Sequence, residues 1–101
     1  MTNKKRLPPI HPGEILREEF LAPIGISSHQ LALALRVPAT RINDIVNQKR
    51  GITADTALRL SRYFGTTSRF WMNLQASWEL EVAEDRLGDA VQREVLPRTA
   101  A

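Results

Sequence analysis

Polar side chains that could read the edges of DNA bases are concentrated in one short segment, positions 39–47. Within it, Ile42, Ile45 and Val46 repeat at the i, i+3, i+4 spacing of a buried helical stripe, so the remaining side chains form an outer face. Arginine can pair with guanine, asparagine with adenine, and aspartate with the amino group of cytosine, while a methyl group can contact thymine. The residues predicted to read bases in a major groove are Ala39, Thr40, Arg41, Asn43 and Asp44. Taken singly, each of them also fits a solvated helix surface.

A second set of polar residues flanks this segment and could bind phosphates. Two of them open a predicted helix, where backbone N–H groups and the helix dipole favour anions, and three follow the base-reading face. Positions 38–67 carry five basic and two acidic residues, whereas positions 68–101 carry four basic and six acidic residues. This clustering fits a polyanion binder, although charge alone fits a mixed solvated surface equally well. The predicted phosphate contacts are Ser28, Gln30, Asn47, Lys49 and Arg50.

Positions 27–47 have the organisation of a helix-turn-helix. Ser27 and Gln30 form the S-x-x-Q pattern of a capping box, so a helix should begin there. A turn at Arg36-Val37-Pro38 should separate it from a second helix that begins near Ala39. The buried stripes of the two helices should meet, which would project the second helix towards a major groove.

The remaining boundaries predict an all-α fold of five helices, with no strand. Pro12 should open the first helix, and Pro23 with Gly25 should end it. Gly51 should stop the base-reading helix, and Gly65 the fourth. The predicted organisation is a basic N-terminal arm at 1–10, a helix-turn-helix domain at 11–86 that includes a dimerisation helix at about 68–86, and a weakly structured tail at 87–101.

The fifth helix carries more apolar bulk than one short helix needs for its own core, which predicts a dimer interface. Its members are Phe70, Trp71, Leu74, Trp78 and Val82. We expect Phe70 and Leu74 to face inward and Trp78 and Val82 to contact a second copy. The alternative is that both tryptophans belong to the core of the monomer.

Catalysis, metal binding and cofactor binding find little support in the sequence. The chain has no cysteine, and neither of its two histidines lies at a metal-ligand spacing. Glu14 and Glu18 share a helix face and could form a weak metal or general-base site, but a solvated acidic face explains them better. We therefore predict no enzyme, no metal and no cofactor. The absence of a long apolar run and of a signal-peptide pattern predicts a cytoplasmic protein.

Three stretches carry a family resemblance: His11-Pro-Gly-Glu14, the run from Arg41 to Leu60, and Tyr63-Phe-Gly65-Thr followed by Phe70-Trp71-Met-Asn73-Leu-Gln75. Together they resemble the HigA-type (VapI-like) antitoxins of the phage-repressor-like (XRE/Cro-type) helix-turn-helix superfamily, over roughly residues 10–83. The resemblance implies a five-helix homodimer that binds an inverted-repeat operator, commonly in its own promoter, with residues 39–47 as recognition helix. It also implies a toxin partner, typically a HigB-like mRNA endonuclease. Pro38 departs from the pattern, because many repressor-like proteins have a Ser or Thr cap there.

Two alternatives remain open at this point. The chain could be a stand-alone transcriptional regulator with no toxin partner, or a pure protein-interaction module. In the second case an acidic group would dock a basic partner; the two candidate groups are Glu14, Glu18 and Glu19, and Glu79, Glu81, Glu84 and Asp85. Either group is also a candidate toxin contact. Steep weakening of DNA binding by salt would separate a DNA binder from an interaction module.

Overall fold

The computed structural model describes residues 7–99, and this part of the chain forms five helices and no strand. Helix α1 covers positions 12–24 in three continuous pieces: α-helical Pro12–Ile15, π-helical Leu16–Leu21 and α-helical Ala22–Ile24. It is followed by α2 (Ser28–Leu35), α3 (Ala39–Val46), α4 (Ala54–Phe64) and α5 (Ser68–Glu94). The predicted all-α, five-helix fold is confirmed. Most of the predicted N-terminal arm, residues 1–6, lies outside the described residues.

Side-chain caps begin α2, α4 and α5 where the sequence predicts them, whereas α3 begins after Pro38 without a side-chain cap. The Ser27 hydroxyl accepts a hydrogen bond from the Gln30 backbone N–H (3.1 Å), and the Gln30 side chain accepts one from the Ser27 N–H (2.8 Å). This is the predicted capping box, which satisfies donors that a helix terminus would otherwise leave unpaired. Thr53 caps α4 and Thr67 caps α5 in the same way, each with its hydroxyl oxygen.

The core lies where α1, α2, α3 and α4 meet the first turns of α5. The stripe of the first helix-turn-helix helix, Leu31, Ala32 and Leu35, is buried with the predicted stripe of α3 in one core cluster. Trp71 of α5 is completely buried at the centre, and its indole N–H donates to the Thr66 hydroxyl (2.7 Å). The largest apolar side chains with almost no exposure are Leu16, Leu31, Ile42, Ile45, Leu60 and Trp71.

Two left-handed residues end the helices of the helix-turn-helix. Arg36 (φ 61°) ends α2, and Gln48 (φ 63°) follows the end of α3. Each reverses the chain so that the next N–H bonds a carbonyl in the preceding turn: Val37 to Ala32 (3.1 Å) and Lys49 to Asp44 (2.7 Å). The prediction that Gly51 stops α3 is therefore wrong, because the reversal occurs three residues earlier.

Two other predicted boundaries need correction: Gly25 ends α1 as predicted but Pro23 does not, and α5 is longer than predicted. Pro23 lies inside α1, and the helix ends only at the left-handed Gly25 (φ 71°). The preceding turns are π-helical, with the Ala22 N–H bonded to the Arg17 carbonyl, and this wider turn relieves the clash between a proline ring and the helix before it. Helix α5 continues past 86 to Glu94, because nothing before Pro97 prevents helical geometry. No helix within residues 7–99 is long and apolar enough to cross a membrane.

Candidate nucleic-acid interface

The outer face of α3 is accessible along its length. Ile42, Ile45 and Val46 are buried on the inner side, whereas Thr40 and Asn43 are exposed. At about 100° per residue, Thr40, Asp44 and Asn47 lie opposite the buried stripe, and Arg41 and Asn43 flank them on either side. Of the predicted base readers, only Ala39 packs against the core, and it is partly buried. The outer face thus presents both hydrogen-bond donors and hydrogen-bond acceptors to solvent.

Arg41 is held by a neighbouring helix. Its Nη1 donates to the Oδ2 atom of Asp55, the second residue of α4, and its side chain is 26% exposed. The other carboxylate oxygen, Oδ1, accepts from Nε of Arg59 (2.9 Å), whose Nη1 donates to the Leu35 carbonyl at the end of α2 (2.9 Å). These hydrogen bonds, the one from Arg41 first, hold the pKa of Asp55 below its ordinary value. The Asp55 carboxylate therefore joins α3 to α4, and Arg59 extends this link to the end of α2.

Basic side chains border the C-terminal end of α3. Arg50 approaches Asp44 (Nη2 to Oδ2, 3.4 Å), and both side chains are partly accessible. Lys49 and Arg50 are exposed in the loop that follows α3. A cleft of about 150 Å³ separates this loop from the start of α4, and Arg41, Arg50 and Asp55 contribute to its walls. The loop and the outer face of α3 therefore form one continuous polar surface.

The predicted phosphate contacts at α2 lie at the N-terminus of that helix. Ser28 is partly buried and Gln30 is exposed, in the first turn after the Ser27 cap. The Gln30 side chain uses its oxygen in the capping box, so its NH2 group is the part that can donate to a ligand. The α2 terminus and the loop at 47–50 lie before and after α3 in the sequence.

Helix α3 is supported from behind by a close contact with α1. A Cβ atom on Gly13 would lie only 1.8 Å from the Ile45 carbonyl oxygen, so this position admits no side chain. His11 caps α1 by accepting a hydrogen bond from the Gly13 N–H at Nδ1 (2.9 Å). The His11 ring is buried edge-on against Trp78 (centroids 4.7 Å apart), and burial lowers the pKa of this imidazole. The His-Pro-Gly stretch therefore fixes where α1 supports α3.

Gln75 is a structural residue whose role the sequence did not indicate. It is almost fully buried on α5, and its Oε1 accepts from the Ile52 backbone N–H (2.7 Å). Its Nε2 donates to Glu79 (2.7 Å). A Cβ on Gly51 would lie within 2.6–2.8 Å of the Gln75 side chain, so Gly51 is needed for this close approach. The loop that carries Lys49 and Arg50 is thereby anchored to α5.

The predicted dimer residues of α5 fall into different environments. Trp71 has no exposed surface, so the prediction that it contacts a second copy is wrong. Leu74 packs against the core as expected, but Phe70 lies at its edge, 36% exposed, with its ring against Phe20 and Trp71. Trp78 and Val82 are partly buried and line a cleft of about 300 Å³ on α5.

Helix α5 also carries a second apolar row that the sequence pattern did not single out. Leu80, Leu87 and Val91 are all at least half exposed. The helical spacing places Leu80 and Val91 on the opposite side of α5 from Trp78 and Val82, whereas Leu87 also lines the cleft of Trp78 and Val82. The helix therefore has two apolar faces beyond the core.

Within residues 7–99, no group of three His, Asp or Glu side chains is placed so that it could hold a metal ion. Of the acidic side chains on α1, Glu18 pairs with its neighbour Arg17 (3.0 Å). Both are about half exposed, as expected for a solvated charged face.

Comparison with known proteins identifies the class that this fold and surface define. The helix-turn-helix family HTH_3 matches residues 16–71, and the chain belongs to it. Virulence-associated protein I of Dichelobacter nodosus is 59% identical over 81 residues, which cover 80% of this chain and 75% of that protein. The uncharacterized HTH-type transcriptional regulator YbaQ of Escherichia coli (strain K12) is 40% identical over 76 residues, covering 72% and 67% of the two chains.

Structural similarity narrows the class. The Pseudomonas aeruginosa antitoxin HigA, solved with the higBA promoter, superimposes with a TM-score of 0.88 at 52% identity, covering 90% of this chain and 99% of that one. Within the helix-turn-helix family, the chain belongs with the HigA-type, VapI-like proteins. The family carries no indication of a catalytic activity.

Proposed function

We propose that this protein is the DNA-binding antitoxin of a type II toxin–antitoxin module, which represses its own operon and neutralises a HigB-like mRNA endonuclease. The observation that carries the DNA-binding part is the outer face of α3, polar and accessible while its inner face is locked in the core. A helix held this rigidly can enter a major groove without losing further conformational freedom. The HigA relative solved with promoter DNA supports DNA binding by a chain of this fold.

The proposed contacts divide into two kinds. Thr40, Arg41, Asn43 and Asp44 read base edges, and Ala39 contributes only its methyl group. The residues that bind phosphates, and so set register rather than sequence, are Ser28, Gln30, Asn47, Lys49 and Arg50. Because phosphate contacts release counterions, affinity should fall steeply with salt, and Lys49→Ala should reduce the slope of log K against log salt by about 1. A salt-independent affinity would favour the interaction-module alternative.

A homodimer is proposed because the stretch of DNA that a single α3 can contact is short. One α3 reaches only a few base pairs, whereas two copies related by a two-fold axis engage half-sites roughly 34 Å apart. We propose that Trp78 and Val82 of α5 meet their counterparts in a second copy, since both line a partly apolar cleft outside the monomer core. Phe70, exposed at the edge of the core, lies on the same helix.

The toxin partner is proposed from the family and from charge. An endonuclease that binds RNA presents a basic surface, and this chain has acidic groups on α1 (Glu14, Glu18, Glu19) and on α5 (Glu79, Glu81, Glu84, Asp85). Co-expression with a HigB-like endonuclease tests the proposal: the protein should restore growth. Charge reversal of one acidic group should abolish the protection and leave DNA binding intact, which also identifies the contact surface.

A stand-alone regulator is the second candidate, because the similar protein YbaQ is described only as a transcriptional regulator. The same co-expression experiment separates the two. Operator binding without any protection from the endonuclease would favour the regulator and exclude the antitoxin role for that toxin class.

A further inference from the structure

Asp55 occupies an unusual position for an acidic residue, at the edge of a surface proposed to bind phosphates. Its Oδ2 accepts from Arg41 on the flank of the recognition helix, and its Oδ1 accepts from Arg59 (2.9 Å). Arg59 is fixed in turn by the Leu35 carbonyl (2.9 Å). Both carboxylate oxygens are therefore used, and they link Arg41 to the framework of α2 and α4.

Stability accounts for only part of this network. The Asp55 side chain is 51% exposed and that of Arg59 is 41% exposed, so water and salt screen this pair, whereas Arg41 is 26% exposed and its link to the same carboxylate stabilises the fold modestly. A carboxylate near DNA also repels phosphates, so its presence weakens sequence-independent binding. An acidic residue here therefore needs a benefit beyond this modest stabilisation.

The geometry of the guanidinium supplies such a benefit. Guanine recognition needs two parallel N–H donors aimed at O6 and N7. A free arginine has many rotamers, and binding must fix them at an entropic cost. In this protein Asp55 bonds Nη1 of Arg41, which leaves Nη2 and Nε with donors for a base and restricts the direction in which they point.

We propose that Asp55 is a positioning residue for base recognition, which orients Arg41 towards a guanine in the operator; this rests on the proposed function. Asp55 makes no base contact in this role. It acts through Arg41, with Arg59 holding the carboxylate from the other side. Specificity for the operator over other DNA then depends on Asp55, although it lies outside the recognition helix.

The test measures discrimination rather than affinity. Fluorescence anisotropy gives the Kd of the full chain for a duplex from upstream of its own gene and for a shuffled duplex of the same composition. Asp55→Asn should lower the ratio of the Kd for the shuffled duplex to the Kd for the upstream duplex by about five- to tenfold, because Arg41 must then be ordered on binding. Asp89→Asn removes an exposed aspartate near the end of α5 and should keep the wild-type ratio.

A double-mutant cycle shows whether Asp55 acts through Arg41. In the Arg41→Ala background, Asp55→Asn should leave the ratio unchanged. Two results overturn the positioning role and leave the proposed function standing. One is that Asp55→Asn lowers the Kd ratio equally in the wild-type and Arg41→Ala backgrounds. The other is that Asp55→Asn alone keeps the wild-type ratio. A purely structural role would raise both Kd values alike without changing their ratio, which also overturns it. If the wild-type protein itself does not discriminate, the proposed function fails and this inference fails with it.

Discussion

At the scale of single residues, Gly13 sets how closely α1 approaches α3. Any Cβ there meets the Ile45 carbonyl, a backbone atom that cannot turn away as a side chain could. Gly13→Ala should therefore lower the free energy of unfolding by about 2–3 kcal/mol, as overpacking does in well-filled cores. Chemical denaturation measures this change.

Gly88 provides the matched control for Gly13. It lies inside α5, and a Cβ atom added to it would have no other atom within 4 Å. Gly88→Ala should therefore raise stability by up to about 1 kcal/mol through helix propensity alone. Equal effects of the two substitutions would contradict the close contact between α1 and α3.

His11 makes stability depend on pH. Burial against Trp78 lowers its pKa in the folded state, so below the ordinary value of 6.5 the unfolded chain binds a proton more readily than the folded one. Stability is therefore present above that pH and is lost as the pH falls towards the folded pKa. The unfolding free energy of the wild-type protein should decrease between about pH 7.5 and about pH 5.

His11→Asn separates the cap from the titration. Asparagine can still cap α1 but does not titrate, so this variant should lose much of the pH slope. His29→Asn, which replaces an exposed histidine, is the matched control. An unchanged slope in His11→Asn would show that the buried imidazole is not responsible.

Local features at this scale were predictable, and tertiary ones were not. The Ser27–Gln30 capping box is complete within four residues, and the sequence therefore predicted it correctly. The contact of Gly13 with Ile45 and the pairing of Arg41 with Asp55 join residues far apart in the chain. No periodicity or spacing in the sequence indicates which residue lies opposite Gly13 or Arg41, so these two contacts become visible only in the folded chain.

At the scale of elements, the loop after α3 depends on a single buried side chain. Gln75 accepts the Ile52 N–H, which has no access to water in its place. Gln75→Met keeps the volume but removes the acceptor, and an unsatisfied buried donor costs about 1–3 kcal/mol. Thermal or chemical unfolding should report that loss, whereas Gln92→Met, at an exposed position of α5, should have little effect. Similar stabilities of the two variants would argue against the anchoring role.

Helix boundaries show where patterns fail at this scale. The sequence predicts that Pro23 and Gly25 together end α1, but a π-helical turn accommodates the proline ring, the helix reaches Ile24, and only Gly25 ends it. The weak apolar pattern after position 86 suggested a frayed end, yet α5 continues to Glu94. Burial periodicity reports contact with a core, and a helix that extends beyond the core loses that signal without losing its geometry.

At the scale of the whole molecule, the two apolar faces of α5 offer alternative dimer interfaces. We expect the face with Val82 to be used, because it is continuous with Trp78 and the core. Val82→Glu would bury a charge between the copies and should weaken dimerisation about tenfold or more, measured by sedimentation equilibrium. Val91→Glu makes the same change on the opposite face and should leave the dimer intact. The reverse pattern would place the interface on the face that carries Leu80 and Val91.

Binding of operator DNA by the outer face of α3 is tested most directly by a gel-shift titration against the DNA upstream of the protein's own gene. The wild-type protein should shift this duplex in preference to a shuffled one, and Arg41→Ala should weaken the specific complex by about 1–3 kcal/mol. Failure to shift any duplex over about 50–200 mM salt would contradict DNA binding altogether. A specific shift that Arg41→Ala leaves unchanged would contradict base reading by Arg41.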